Sequence, residues 1–160
     1  LRSLRPDTDR RPGIAVQKPA GFLIQIDGSS LRNPGPAGIG VRILGPDGNV
    51  RKEISRSIGI RTNNQAEYEG LLCALQECRE LGNRHIVIRT DSELVYYQMR
   101  GRYKVKNAEL KALHSMAQDL ISQLPNVTIQ LVRREQNTET DKLAKAASQA
   151  CDSGREHVQE

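Results

Sequence analysis

The run His85-Ile86-Val87-Ile88-Arg89-Thr90-Asp91 decides how this chain folds. Its three consecutive β-branched residues are too few for a helix. Unbroken apolar runs of this length are expected of strands covered on both faces, as in parallel sheets. The residues before it support that reading. Tyr68, Leu71, Leu72, Leu75, Cys78 and Leu81 recur at three- and four-residue steps, and Gly82 ends the pattern, so a helix is expected over 64–81. A strand reached through a helix can return parallel to an earlier strand.

Upstream of that helix the period is two. Phe22, Ile24 and Ile26 alternate with Leu23, Gln25 and Asp27, and Asp27-Gly28-Ser29 reads as a turn that ends the strand. Ile39, Val41 and Ile43 alternate again. The cluster Gly45-Pro46-Asp47-Gly48-Asn49 should turn that strand into a third over 50–58, giving an antiparallel meander. Downstream, helical patterning covers 92–99 and 108–124, a strand is expected over 127–132, and a last helix over 138–150. The order β-β-β-α-β-α-α-β-α predicts an α/β fold. Its mixed five-stranded sheet has three antiparallel strands, then two parallel ones, with helices on both faces.

The chain has 160 residues, 37% hydrophobic and 27% charged, enough for one domain with a real core. With no Trp and one Phe, aliphatic side chains must fill that core. Residues 1–20 carry five basic and two acidic side chains and few large apolar ones, so a disordered tail is expected there. The folded unit is expected over 21–151, and 152–160 should fray. The chain opens on Leu1 rather than Met, which fits a processed chain or part of a longer polypeptide. No apolar run approaches the roughly 20 residues a spanning helix needs, which argues against a membrane protein. Cys73, Cys78 and Cys151 are odd in number and form no C-x-x-C pair, as expected of reduced thiols in a cytoplasmic protein. A net charge of +5 is compatible with a polyanionic partner without establishing one.

Four acids stand at element ends. Asp27 closes the first strand, Glu67 opens the first helix, Asp91 closes the fourth strand and Asp141 opens the last helix. Adjacent parallel strands ending in Asp would set those carboxylates side by side, beyond the strand ends where α/β sheets gather function. Glu67 shares a helix face with Leu71, Ala74 and Cys78, so it points toward the sheet and needs a partner there. Each acid also has a local alternative. Asn64 to Glu67 has capping-box spacing, Asp91 could cap a helix, Asp141 could complement a helix dipole and Asp27 could serve a turn. Four acids on one edge would repel one another unless cations neutralised them. Such an oxygen-rich set suits Mg²⁺ or Mn²⁺ better than zinc.

Five stretches follow one another in a familiar order. They are Asp27-Gly28-Ser29 with Asn33-Pro34-Gly35-Pro36-Ala37-Gly38; Thr62-Asn63-Asn64-Gln65-Ala66-Glu67; Thr90-Asp91-Ser92; Lys104-Val105-Lys106-Asn107; and Arg134-Glu135-Gln136-Asn137-Thr138-Glu139-Thr140-Asp141-Lys142-Leu143-Ala144. Together they resemble type 1 ribonuclease H, in a short form without the basic protrusion, over roughly 21–150. The resemblance implies a metal-dependent endonuclease that cuts the RNA strand of RNA/DNA hybrids, leaving 5′-phosphate and 3′-hydroxyl ends. It implies two Mg²⁺ ions, with Mn²⁺ as substitute. Asp27 would bridge both ions, Asp141 would help hold the one that activates water, and Glu67 and Asp91 would hold the other. Asn33, Asn64 and Gln65 match positions that contact the minor groove, where 2′-hydroxyls mark RNA. Thr62 matches a residue that binds a DNA-strand phosphate, and Lys104, Lys106 and Asn107 match further substrate contacts.

The sequence departs from the family pattern in three places. Many members carry a His in the loop before the last Asp; here that loop reads Arg133-Arg134-Glu135-Gln136. Arg134 or Glu135 is the candidate substitute, with Arg134 placing phosphate or expelling product, since a guanidinium cannot act as a base near neutral pH. Glu93 follows Thr90-Asp91-Ser92 where well-known bacterial relatives have Gln. The connection between the helices at 92–99 and 108–124 is too short for an extra basic helix, although Arg100, Arg102, Lys104 and Lys106 cluster there. Transposases, integrases and junction resolvases share the fold but differ in carboxylate pattern, and a silent binding module would not need all four acids. The chain is expected to act as a monomer.

Overall fold

In the computed structural model, residues 21–157 are described. The tail expected at 1–20 lies outside the described residues, and so do 158–160 of the tail expected at 152–160, whose residues 152–157 belong to the last helix. Five strands form one sheet: β1 (Phe22–Ser30), β2 (Gly35–Leu44), β3 (Val50–Arg61), β4 (Ile86–Thr90) and β5 (Val127–Leu131). Four helices accompany it: α1 (Asn63–Leu81), α2 (Glu93–Met99), α3 (Ala108–Ser122) and α4 (Thr138–His157), with a 3-10 turn at Arg134–Gln136 before α4. The strand order is β3-β2-β1-β4-β5. The β1/β2 and β2/β3 pairs are antiparallel, and the β1/β4 and β4/β5 pairs are parallel. This is the mixed ribonuclease-H-like sheet that the sequence leads one to expect.

Register explains the two faces. Ile24 pairs with Ile43 and Ile88, Ile26 with Val41, and Phe22 with Ile86, so these side chains share one face. Helix α1 covers that face with Tyr68, Leu71, Leu75 and Cys78, all fully buried. Each such Ile or Leu contributes about 1.5–3 kcal/mol by leaving water. Helix α4 lies on the other face, over β1, β2 and β3. The Ser55 and Ser57 hydroxyls donate to the carbonyls of Leu143 and Ala147, at 2.7 and 2.8 Å.

Three expectations are revised in detail. β4 is fully covered on one face only: Ile86 and Ile88 are buried while Val87 is half-buried, because α4 does not reach this side of the sheet. Two parallel neighbours, not cover on both faces, set its direction. Asp27 does not end β1, which runs on to Ser30 because β2 keeps pairing as far as Ser30 with Ala37. Helix α4 continues to His157, beyond the expected end at 150, as it lies along the meander.

Candidate active site

The parallel ladder between β1 and β4 pairs Gln25 with Arg89 and goes no further. Two residues on along each chain stand Asp27 and Asp91, so the register sets the two acids opposite each other where the strands part. Ser29 and Gly28 continue toward β2, and β4 has already given way to α2, which leaves a cleft between them.

Helix α1 brings the third acid. Its cap is Thr62, whose hydroxyl accepts from the Gln65 backbone N–H at 3.1 Å while Gln65 Oε1 accepts from the Thr62 N–H at 2.8 Å. Glu67 is thereby free of capping, contrary to its local alternative. Its Oε1 instead accepts from the Gly28 N–H at 3.1 Å. Gly28 is needed for that approach, since a Cβ there would stand 2.3 Å from the Ala66 carbonyl carbon. Asp91 is likewise spared, because Ser92 caps α2 through a 3.2 Å bond from the Val95 N–H. One carboxylate oxygen from each of Asp27, Glu67 and Asp91 lies within 4.8 Å of the others.

Asp141 arrives from the opposite face. Helix α4 passes so close to β2 that a Cβ on Gly40 would stand 2.4 Å from the Thr140 carbonyl oxygen. In the first turn of α4, Asp141 shares a hydrogen bond with Asp27 and pairs with Lys145 Nζ at 3.1 Å. Burial, the charge of Asp91 and that shared bond push Asp27 up to about 8. Glu67 is raised too, by burial first and then by Asp27 and Asp91, with the Gly28 N–H and Arg134 offsetting part of the rise. Without a cation Asp27 therefore retains its proton near neutral pH, and Glu67 gives up its own less readily than a free carboxylic acid does. A hard divalent cation in contact with three such oxygens would displace these protons, and a donor set of carboxylates alone fits Mg²⁺ or Mn²⁺ chemistry.

The open cleft around these acids has a volume of about 530 Å³. Of the expected contacts, Asn64 and Arg134 line it beside the four acids, and so do Ser29, Asn63, Glu93 and Lys145. Glu135 stands with Arg133 and Arg134 on an adjoining hollow that also reaches Asp91. Thr62, Gln65 and Asn107 are occupied with helix caps; Asn107 Oδ1 accepts from the Leu110 N–H at 2.9 Å. Asn33 Oδ1 accepts from the Asn63 N–H at 2.8 Å, which ties the β1–β2 turn to the start of α1. Lys104 and Lys106 are exposed on the segment before α3.

Asn137 is the residue that sequence reasoning passed over. It is buried, and its Nδ2 donates to the Ile26 carbonyl at 2.8 Å and to Asp91 Oδ2 at 3.1 Å, while its Oδ1 accepts from the Thr140 hydroxyl at 3.1 Å. One amide thus joins β1, Asp91 and α4. Its position just before a helix, three residues ahead of Thr140, was the available signal. Lys145 was equally visible as the residue four beyond Asp141.

A family model described as reverse transcriptase-like matches residues 25–147. The bifunctional protein Rv2228c of Mycobacterium tuberculosis is 42% identical over 129 residues, covering 80% of this chain and 35% of that protein. The chain thus spans about a third of the length of this mycobacterial relative. RNase H1 of Halobacterium salinarum superposes with a TM-score of 0.75 at 35% identity, covering 79% of this chain and 96% of the other. LC11-RNase H1, solved in complex with an RNA/DNA hybrid, superposes with a TM-score of 0.75 at 38% identity, covering 83% and 98%. With the sheet order, the acid cluster and these matches in agreement, the chain belongs to the type 1 ribonuclease H family.

Proposed function

We propose that this chain hydrolyses the RNA strand of RNA/DNA hybrids endonucleolytically, leaving 5′-phosphate and 3′-hydroxyl ends. The observation that carries the proposal is the meeting of Asp27, Glu67 and Asp91 within 4.8 Å at the mouth of an open cleft. The hybrid held by LC11-RNase H1 supports the choice of substrate.

In this reading Asp27, Glu67, Asp91 and Asp141 hold two Mg²⁺ ions, with Mn²⁺ able to replace them. Bound there, the ions would lower the pKa of water toward neutrality and stabilise the departing 3′ oxygen. The residues do the rest. Asn137 fixes the Asp91 carboxylate, the Gly28 N–H orients Glu67, and Lys145 balances Asp141. Arg134, on the cleft wall, places the phosphate or helps the product leave, and Glu135 stands beside it. Asn33, Asn64 and Gln65 meet the minor groove, Thr62 and Asn107 meet phosphate of the DNA strand, and Lys104 and Lys106 add charge. The catalytic unit in this reading is 21–151, acting as a monomer in the cytoplasm. No helix among the described residues is long and apolar enough to cross a membrane, and Cys73, Cys78 and Cys151 are free thiols.

The test is cleavage of a strand-labelled RNA/DNA hybrid in Mg²⁺ and in Mn²⁺, beside RNA/RNA and DNA/DNA duplexes. Metal-dependent internal cutting of the RNA strand alone is expected. Folded protein that leaves the hybrid intact would overturn the proposal.

A further inference from the structure

Gln98 lies outside the cleft, in the last turn of α2, and is only 3% exposed. Both ends of its carboxamide are used. The Tyr68 hydroxyl donates to Oε1 at 2.6 Å, and Nε2 donates to the Lys104 carbonyl at 3.2 Å. Its backbone carbonyl lies 3.1 Å from His114 Nε2, and Gln118 Nε2 donates to the neighbouring Met99 carbonyl at 3.0 Å. Burial alone would favour an apolar side chain at this position, so a carboxamide bonded at both ends points to a geometric task.

The bridge connects two parts that the proposed function needs together. Tyr68 is fully buried and directly follows Glu67, whose carboxylate reaches Gly28. Lys104 sits in the middle of Arg100-Gly101-Arg102-Tyr103-Lys104-Val105-Lys106, which carries four cations and no acid. The same segment is steadied at its centre by Tyr103 against Tyr97, with ring centres 4.9 Å apart, and just beyond its C-terminal end by Asn107 capping α3. Glu109 of α3 in turn lies 3.4 Å from Gln65 Nε2 in the first turn of α1. The basic segment is therefore referenced to the helix that carries Glu67.

We infer that Gln98 is a positioning residue for nucleic-acid binding: the Tyr68–Gln98–Lys104 bridge holds the basic segment in a fixed place relative to α1. The inference rests on the function proposed above. An ordered segment meets phosphates without first losing conformational freedom, and a released one must be ordered during binding. The number of cations is unchanged by the release, so affinity should fall while its salt dependence stays the same.

The experiment compares the unaltered chain with Tyr68→Phe, Gln98→Met and the double variant Tyr68→Phe/Gln98→Met. It reads hybrid affinity against salt without divalent metal, KM and kcat with Mg²⁺, Mg²⁺ affinity and thermal unfolding. Gln98→Met alone strands the buried Tyr68 hydroxyl and should unfold earlier, whereas the double variant removes that group and should recover stability. Expected for both is a Kd and KM raised about five- to tenfold, with kcat, Mg²⁺ affinity and the salt slope as in the unaltered chain. Tyr68→Phe, which leaves the Lys104 arm in place, should change Kd about twofold. Recovery of affinity along with stability in the double variant would overturn the inference, as would a loss of kcat or Mg²⁺ affinity. If the unaltered chain neither binds nor cuts the hybrid, the proposed function fails and the inference with it. If it does both and the variants bind as tightly, only the inference fails.

Discussion

The carboxylate cleft and the basic segment 100–106 are built in opposite ways. In the cleft each acid is set by something rigid: strand register for Asp27 and Asp91, a glycine contact and backbone N–H for Glu67, a helix pressed onto Gly40 for Asp141. The cations of the basic segment are exposed ends of long side chains on a turn held through its backbone. Coulomb attraction to a polyanion acts over roughly 10 Å and tolerates such freedom, whereas sharing a small cation among oxygens does not. The contrast predicts that damage to the cleft changes chemistry and folding, while damage to the segment changes affinity.

The largest effect should come from Asp27→Asn, with cleavage of the hybrid falling about a thousandfold or more while the fold persists. Folding in the absence of metal should change in the opposite direction. Asp27 is raised to about 8, so the folded chain binds this proton more tightly than the unfolded one. The stability that this gives is complete below the ordinary carboxylate range and is lost as pH rises through about 8. The unfolding temperature of the metal-free chain should therefore drop between pH 6 and pH 9, and Asp27→Asn should flatten that drop. Near-normal turnover in the variant, or an unchanged slope of stability with pH, would break the account of the cleft.

Next in size are the rigid supports. Gly40→Ala pushes a methyl group against the Thr140 carbonyl and should lower stability by about 2–4 kcal/mol, read from the denaturant midpoint. Asn137→Ala leaves the Ile26 carbonyl and the Thr140 hydroxyl short of a partner, which costs about 1–3 kcal/mol. It also frees the Asp91 carboxylate, so hybrid cleavage should fall further than stability alone explains, and extra Mg²⁺ should recover part of it. Cleavage that merely tracks the folded fraction would make Asn137 a structural residue only.

These supports mark the boundary of what the sequence makes legible. Strand and helix order follow from the period of the apolar residues, and the acids stand out because four of them fall at element ends in a familiar order of motifs. Asn137 does not stand out, because a polar residue before a helix reads as a cap, and its bonds to Ile26 and Asp91 depend on chain segments 111 and 46 residues away. The end of β1 was misplaced for a related reason. Asp27-Gly28-Ser29 has turn chemistry, yet β2 supplies partners as far as Ser30, and pairing across strands overrides local preference. The capping alternatives for Glu67 and Asp91 could be settled only by seeing Thr62 and Ser92 take those roles.

A smaller effect is expected from Lys104→Ala with Lys106→Ala. Hybrid affinity at low salt should fall about tenfold, the slope of log affinity against log salt should become shallower by about one per lysine, and thermal unfolding should stay as it was. A lost slope separates these cations from Gln98, whose replacement should leave the slope intact. An unchanged slope in the double lysine variant would mean that the segment faces solvent and not substrate.

The smallest effect decides whether Asn107 belongs with the rigid part or the electrostatic one. Its Oδ1 caps α3, and the function proposed above makes it a phosphate contact; the two roles use different ends of one amide. Asp caps a helix about as well as Asn, so Asn107→Asp should leave stability unchanged, while Asn107→Ala should lose about 1 kcal/mol. At the phosphate the ranking reverses. Ala only removes a donor, whereas Asp removes it and adds a negative charge, so Asp should weaken hybrid binding more than Ala does, by about threefold or more at low salt. If binding instead follows stability, with Asp like Asn and Ala weaker, the residue is a cap and nothing else. Stability and affinity moving in opposite orders across the same two substitutions would place Asn107 at the join between the two kinds of construction.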